Sequence, residues 1–342
     1  MGSESRNRYL LKNTLIFTLG NIGSRMISFF LIPLYTNVLT TSQYGTVDLI
    51  TTISTVAGPM LTLNIAESVM RFGLDKDADK EKNTQCGSIV LLIAMIIGLV
   101  LIPICRCITE VSDYAMYVYF YVISLSASQL FLCDLRGKEL LLKYSLGNIL
   151  QTLMIAILNI TFLLVFKMET GGYLLAYIIA NFIVAIYAII AGKGYKAFSF
   201  HNIDRCKLKE MIRYSVVLIP NTFMWWIMNS SDRVMVTYMI GAAANGIYAV
   251  SYKLPTLVST LTGIFNQAWS YSAIREEGTS DETEYNNKMF KTLSAIAFMM
   301  GIGLLLLTKP FLRVYVADSY YDAWKYTPFL IVGCVYLTLG TF

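Results

Sequence analysis

Charge is scarce in this chain of 342 residues: Asp, Glu, Lys and Arg together make up 14% of it, where a soluble domain carries about a quarter. Histidine is nearly missing, with His201 alone, and the six cysteines are scattered. Cys105 and Cys107 form a lone CxC, too few ligands for a metal centre, so no metal is expected. No glycine-rich phosphate-cradling loop occurs, which excludes transport driven by a P-loop ATPase within this sequence. No nucleophile stands beside a base in any motif spacing, and nothing points to nucleic-acid binding. The first apolar run is too long for the core of a cleaved leader and lacks a small-residue cleavage site.

What the chain has in excess is apolar length. It is 56% hydrophobic with a mean hydropathy of +0.58, the composition of an integral membrane protein. Ten apolar segments are predicted, at 13–39, 44–70, 87–109, 113–135, 140–166, 172–191, 212–240, 246–272, 289–308 and 326–342. Each is long enough, or nearly so, to cross a bilayer at 1.5 Å per residue. Barrel strands are excluded, because the segments are about twice too long and do not alternate. With the N-terminus in the cytoplasm, nineteen Lys and Arg fall in inside connections and five in outside ones. That asymmetry sets the orientation under the positive-inside rule.

The chain also repeats. Lys12 set against Arg213 brings Thr36 onto Thr237 and Gly45 onto Gly246, so the turns TTSQYG and GAAANG fall in register. Segments one and seven are then equivalents six helices apart, the parallel kind of transporter repeat. The expected fold is an all-α, multi-pass helical bundle of two six-helix lobes, with about ten helices present. The N-terminal lobe is 1–200 and the C-terminal lobe 201–342, the latter incomplete, so the sequence reads as part of a longer protein. Pro33, Pro59, Pro220 and Pro255 fall in segments one, two, seven and eight, where kinks would serve a moving transporter; proline is also simply common in membrane helices.

Three charges lie deep in these segments. Arg25 sits about a dozen residues from either end of segment one, where a charge costs at least about 2.5 kcal/mol to insert. It is either a cavity group or the partner of an acid such as Asp48 or Glu67. Lys253 and Arg233 are the other two, with snorkelling the alternative for Lys253 and a structural lock the alternative for Arg233 and its neighbour Asp232. Asp48, Glu67 and Asp232 are candidates for coupling to Na⁺ or H⁺, since a carboxylate in a low-dielectric cavity can take up a proton or ligate a cation. Trp225 and Trp226 lie mid-segment, where an indole can stack on a sugar face or pack as an ordinary aromatic.

The opening KNTLIFTLGNIGSRMISFFLIPLYTNVLTTSQYGTVDLI resembles the start of polysaccharide-biosynthesis flippases, the Wzx-type exporters of lipid-linked oligosaccharides. The resemblance rests on LIPLYTNVL, on Gln43-Tyr44-Gly45, on Arg71-Phe72, and on Ser231-Asp232-Arg233 followed by Gly241 and Asn245-Gly246-Ile247-Tyr248. Those flippases belong to the multidrug/oligosaccharidyl-lipid/polysaccharide exporter superfamily. The resemblance implies alternating access between two lobes in a bacterial cytoplasmic membrane, with no cofactor. Its implied substrate is an undecaprenyl-pyrophosphate-linked oligosaccharide, with membrane lipids and polysaccharide polymerase machinery as partners. It implies a cavity role for Arg25, whose planar guanidinium suits phosphate oxygens. A cation-coupled multidrug exporter of the same superfamily is the alternative. A membrane polymerase or ligase is a third reading, opposed by outer connections no longer than roughly 309–325. On this topology, cysteines placed at Ser3, Thr84, Asn202 and Thr279 should label from the cytoplasmic side, and at Ser42, Thr170 and Ala243 from outside. An N-terminus that labels from outside would reverse every loop.

Overall fold

The computed structural model describes residues 27–75, 77–106, 111–198, 204–276 and 282–340. Among them there are twelve α-helices and no strand. In chain order these are α1 (Ile32–Val38), α2 (Thr41–Leu61), α3 (Ile65–Gly73), α4 (Lys80–Arg106), α5 (Ala115–Gly137) and α6 (Leu141–Ile160). They continue as α7 (Glu169–Ala191), α8 (Arg205–Met239), α9 (Ala242–Ser251), α10 (Pro255–Glu276), α11 (Glu282–Tyr315) and α12 (Thr327–Gly340). Among the described residues every expected apolar segment is met by helix, the first only from residue 27 on, and the segments 44–70 and 246–272 are each broken into two helices. Five of the helices are long and apolar enough to span a membrane, and α2 with α3 makes a sixth if counted as one bent span. The helices of segments seven and eight fall short on apolarity rather than on helicity, because α8 carries Asn221, Asn229, Ser230, Ser231, Asp232 and Arg233. Helix α11 runs on to Tyr315, so the connection expected over 309–325 is shorter and is itself coiled into a 3₁₀ turn over Asp318–Lys325. Proline stands inside α2 (Pro59) and α8 (Pro220) as expected, but also inside α4 (Pro103) and α11 (Pro310), while Pro255 opens α10, where it does not kink the helix.

The chain divides into two compact units. One is built on Thr46–Ala242 and the other on Ile32–Gly45 with Ala243–Phe342.

The first unit holds the larger core. Ile65 and Val69 of α3, Cys86 and Val90 of α4, Leu130 and Leu135 of α5, Val184 and Ala188 of α7, and Met211 of α8 are buried together. Small residues let the backbones meet, as expected where lipid gives apolar side chains no reason to seek each other. Gly73 and Gly137 face across α3 and α5 so closely that a Cβ on Gly73 would lie 2.9 Å from the Gly137 Cα. Ser68 of α3 donates to the Met211 carbonyl at 2.7 Å and shares a 2.6 Å contact with Ser215 of α8. At one end of the bundle Asp134 is buried and fully occupied. Lys138 pairs with it at 2.6 Å, Thr84 of α4 donates to it, and Lys138 also donates to the Gly192 carbonyl after α7 at 3.0 Å. One carboxylate thus ties the ends of α4, α5 and α7.

The second unit is organised around the turn before α2. Thr40 and Gln43 form a capping box: the Thr40 amide donates to Gln43 Oε1 at 2.9 Å, and the Gln43 amide to Thr40 Oγ1 at 3.2 Å. Two otherwise orphaned amides are satisfied reciprocally. The equivalent turn packs directly on it. Asn245, fully buried, donates to the Gly45 carbonyl at 2.9 Å, and a Cβ on Gly246 would stand 2.0 Å from the Thr41 carbonyl oxygen. The two glycines that the repeat set in register are therefore where α9 and the start of α2 touch. Tyr320 closes the arrangement from the 3₁₀ turn. Its ring is wholly buried against Tyr44, and its hydroxyl donates to the Leu39 carbonyl at 3.0 Å. Burial pushes the Tyr320 phenol up, so it stays protonated and a donor across the working pH range.

Gly246→Ala should therefore lower stability by about 1–3 kcal/mol, the usual cost of overpacking. Gly263→Ala, where no atom lies within reach of a Cβ, should change little by comparison. Thermal unfolding in detergent would show the difference, and equal melting of the two variants would contradict the close contact.

Candidate functional site

Helix α2 ends inside the first unit because its sequence stops it. Pro59 has no amide to give, and Leu63 and Asn64 adopt φ of 52° and 55°, the left-handed region that asparagine tolerates better than most. The chain turns through 60° before α3 resumes at Ile65. The freed backbone groups are retied locally: the Asn64 amide reaches the Pro59 carbonyl at 2.6 Å and the Ile65 amide the Thr62 carbonyl at 3.1 Å.

Beside this break lies a cavity of about 770 Å³. Its walls come from Pro59 and Asn64 at the break, Glu67 of α3, Ser128, Gln129 and Cys133 of α5, Tyr144, Asn148 and Gln151 of α6, and Tyr214, Leu218, Asn221 and Thr222 of α8. Five carboxamides, two hydroxyls and two tyrosines face one space. Among the described residues no Lys or Arg lines it, and Glu67 is its one carboxylate. Glu67 is half-buried, and its carboxylate makes no hydrogen bond or ion pair among the described residues. Behind the lining, Gln151 donates to Asn181 Oδ1 at 2.7 Å, and Asn64 donates to Thr222 at 3.3 Å, so part of the wall is held in place. Neutral donors and acceptors set among aromatic rings are suited to a polyhydroxylated ligand, which offers both and carries apolar ring faces.

A second polar assembly joins α2 to α8. Arg233 donates to Asp48 at 2.9 Å, and the two side chains are only 18% and 7% exposed. The Asp232 carboxylate accepts from the Arg233 amide at 3.0 Å. Further along the same two helices Trp226 donates from Nε1 to the Thr52 carbonyl at 2.9 Å and stacks on Phe223.

The residues singled out from the sequence are thus spread over different places. Glu67 lines the cavity. Asp48, Arg233 and Trp226 hold α2 against α8, while Trp225 is half exposed. Lys253 lies in the second unit, in the turn between α9 and α10, where its amide donates to the Val250 carbonyl at 3.0 Å. Arg25 lies outside the described residues. Sequence reasoning did not single out the carboxamides at 64, 129, 148, 151 and 221. A signal was present, since each is an uncharged polar side chain inside or at the edge of an apolar segment, where burial without partners is costly.

Residues 10–274 match the family model described as "Polysaccharide biosynthesis protein". The chain belongs to that family. No curated protein sequence matches it. Among solved structures, it is similar to a MATE transporter of Vibrio cholerae, VcmN, with a TM-score of 0.58 at 14% identity over 98% of this chain and 86% of that one. It is similar to an outward-facing MATE transporter of the MOP superfamily, with a TM-score of 0.58 at 14% identity over 96% and 79% of the two chains. A Pyrococcus furiosus MOP transporter, titled for the reverse polarity of its binding pocket, matches with a TM-score of 0.51 at 13% identity over 96% and 82%. The fold of this polysaccharide-biosynthesis family member is therefore the helical transporter fold of that superfamily. Its apolar helices and its neighbours make it a multi-pass membrane protein.

The Asp48–Arg233 pair makes a measurable claim on this fold. Asp48→Ala or Arg233→Ala alone should destabilise the protein by roughly 3–5 kcal/mol by stranding a buried charge. The double variant should cost clearly less than the two single losses together, read by detergent-solubilised thermal unfolding. Additive losses would mean the two side chains do not interact.

Proposed function

We propose that this protein is a flippase that moves an undecaprenyl-pyrophosphate-linked oligosaccharide from the cytoplasmic to the outer leaflet of a bacterial cytoplasmic membrane. The repeat unit would go to a surface polysaccharide: O-antigen, capsule or exopolysaccharide. Transport would proceed by alternating access between the lobes at 1–200 and 201–342, with the N-terminus in the cytoplasm. The observation that carries this reading is the carboxamide-, hydroxyl- and tyrosine-lined cavity of about 770 Å³ in a member of the polysaccharide biosynthesis family. Such a lining gives a glycan neutral hydrogen bonds and ring faces without the strong grip of paired charges. Arg25 is assigned to the pyrophosphate, for which a guanidinium offers a two-pronged donor. Without an ATP-hydrolysing motif in this sequence the step would draw on a gradient or on consumption of the substrate, and Glu67 is the carboxylate we assign to H⁺ or Na⁺.

One observation favours a second reading, a cation-coupled multidrug exporter. Glu67 is an acid free of ion pairs in a cavity that no Lys or Arg lines among the described residues, which suits an organic cation. Two sets of variants separate these. Under the flippase reading, Arg25→Ala abolishes glycan export at near-normal abundance, Arg25→Lys restores part, and Asn148→Ala with Gln151→Ala lowers export several-fold. Efflux of lipophilic cations should be unaffected in all of them. Normal export in these variants, together with cation efflux that fails in Glu67→Gln, would establish the exporter instead.

A further inference from the structure

At its Arg205 end α8 presents a stripe at i, i+3, i+4, i+7 and i+8: Glu210, Arg213, Tyr214, Val217 and Leu218. Together with Phe72 of α3 these residues line a second space of about 320 Å³. Its walls are mostly apolar. Phe72 and Tyr214 meet edge to face at 5.6 Å, Tyr214 is 37% exposed, and Val217 is 73% exposed. Its rim is cationic. Lys207 places its ammonium 4.1 Å from the centre of the Phe72 ring while pairing with Glu210 at 3.0 Å, so the one acid among the described residues that line the space is already engaged. Arg71 lies 6.0 Å from the same ring and pairs with Asp75 at 2.6 Å. Arg213 is exposed and has no hydrogen bond or ion pair among the described residues. An apolar trough with a free guanidinium at its rim fits an anionic headgroup followed by a hydrocarbon chain.

The trough does not stand alone. Tyr214 and Leu218, one helical turn apart, line both it and the carboxamide cavity. A ligand that spans this shared wall must combine a hydrocarbon chain, a phosphate and a polyhydroxylated part. Phosphatidylethanolamine and phosphatidylglycerol have the first two and only a small headgroup, at most two hydroxyls, to set against five carboxamides. We infer that the trough between Phe72 and the Glu210–Leu218 stripe is the docking groove for a polyprenyl-phosphate lipid carrier, with Arg213 on the phosphate and the isoprenoid chain along Val217. The inference rests on the flippase reading above and deepens it, adding where the carrier first engages the protein.

The probe is undecaprenyl phosphate, which bears no sugar and so tests the groove without the cavity. It is titrated into delipidated full-length protein and binding is followed by native mass spectrometry, with thermal unfolding as a check that each variant is folded. Wild type should bind one equivalent. Arg213→Gln and Val217→Trp should each weaken binding at least tenfold, Arg213→Lys should retain most of it, and equimolar phosphatidylglycerol should fail to displace the probe. Both altered residues are exposed, so folding should survive. Unchanged affinity in both Arg213→Gln and Val217→Trp overturns the groove while leaving the flippase reading to its export assay. Ready displacement by phosphatidylglycerol overturns the assignment in favour of a general anionic-lipid site. A wild-type protein that binds no undecaprenyl phosphate, yet exports glycan, overturns the groove alone; one that does neither overturns the flippase reading with it.

Discussion

A helix that breaks within a membrane exposes amides and carbonyls that lipid cannot satisfy, so it persists only where protein or a wet cavity surrounds the break. Between Leu61 and Ile65 the chain meets that constraint with local bonds from Asn64 and Ile65 and with two consecutive left-handed residues. The 60° turn carries α3 away from the line of α2, and the space left beside it becomes the carboxamide-lined cavity. Asn64 does two things at once: its backbone makes the turn and its side chain reaches Thr222 of α8. The break is thus the feature that both bends the helix and furnishes the site.

The charges follow the same economy of partners. Asp134 is buried, and Lys138 and Thr84 saturate it; Asp48 is buried, and Arg233 meets it. Neither pair is strong evidence for net stability, because desolvation offsets much of the Coulombic attraction. What they fix is which helix end sits against which. Glu67 differs in kind, since it faces the cavity with no such partner among the described residues.

The places of the apolar segments were legible because apolar length is a local property that needs no tertiary contact to be recognised; helix limits were not, since α11 runs to Tyr315 past the expected end at 308 and the segments 44–70 and 246–272 are each two helices. The pairing of Gly45 with Gly246 was legible as register, though not as contact; that the two turns rest on one another follows from backbone approach, which only coordinates display. Asp48 and Arg233 were each conspicuous alone, but residues 185 positions apart give no sign of being partners. The cavity was hidden for another reason. Asn148 and Gln151 stand one helical turn apart in an apolar run, and nothing local says whether that face meets lipid, a neighbour or an open space.

Under the proposed flippase function, the choice of carboxamides over charges has a transport logic. A carrier must hold its cargo on one side and let it go on the other. A neutral hydrogen bond contributes on the order of 0.5–1.5 kcal/mol net, and one to a charged group about twice that. A wall of Asn64, Gln129, Asn148, Gln151 and Asn221 can therefore accept many orientations of a polyol and release it without breaking an ion pair in a low-dielectric space. Strong contacts belong where the ligand is invariant, at a phosphate, and the free guanidinium of Arg213 lies at the mouth of the apolar trough rather than in the carboxamide cavity. On that reading, grip at the common part of the substrate and tolerance at its variable part would be separated along one helix, α8, with Tyr214 and Leu218, which line both spaces, as the boundary.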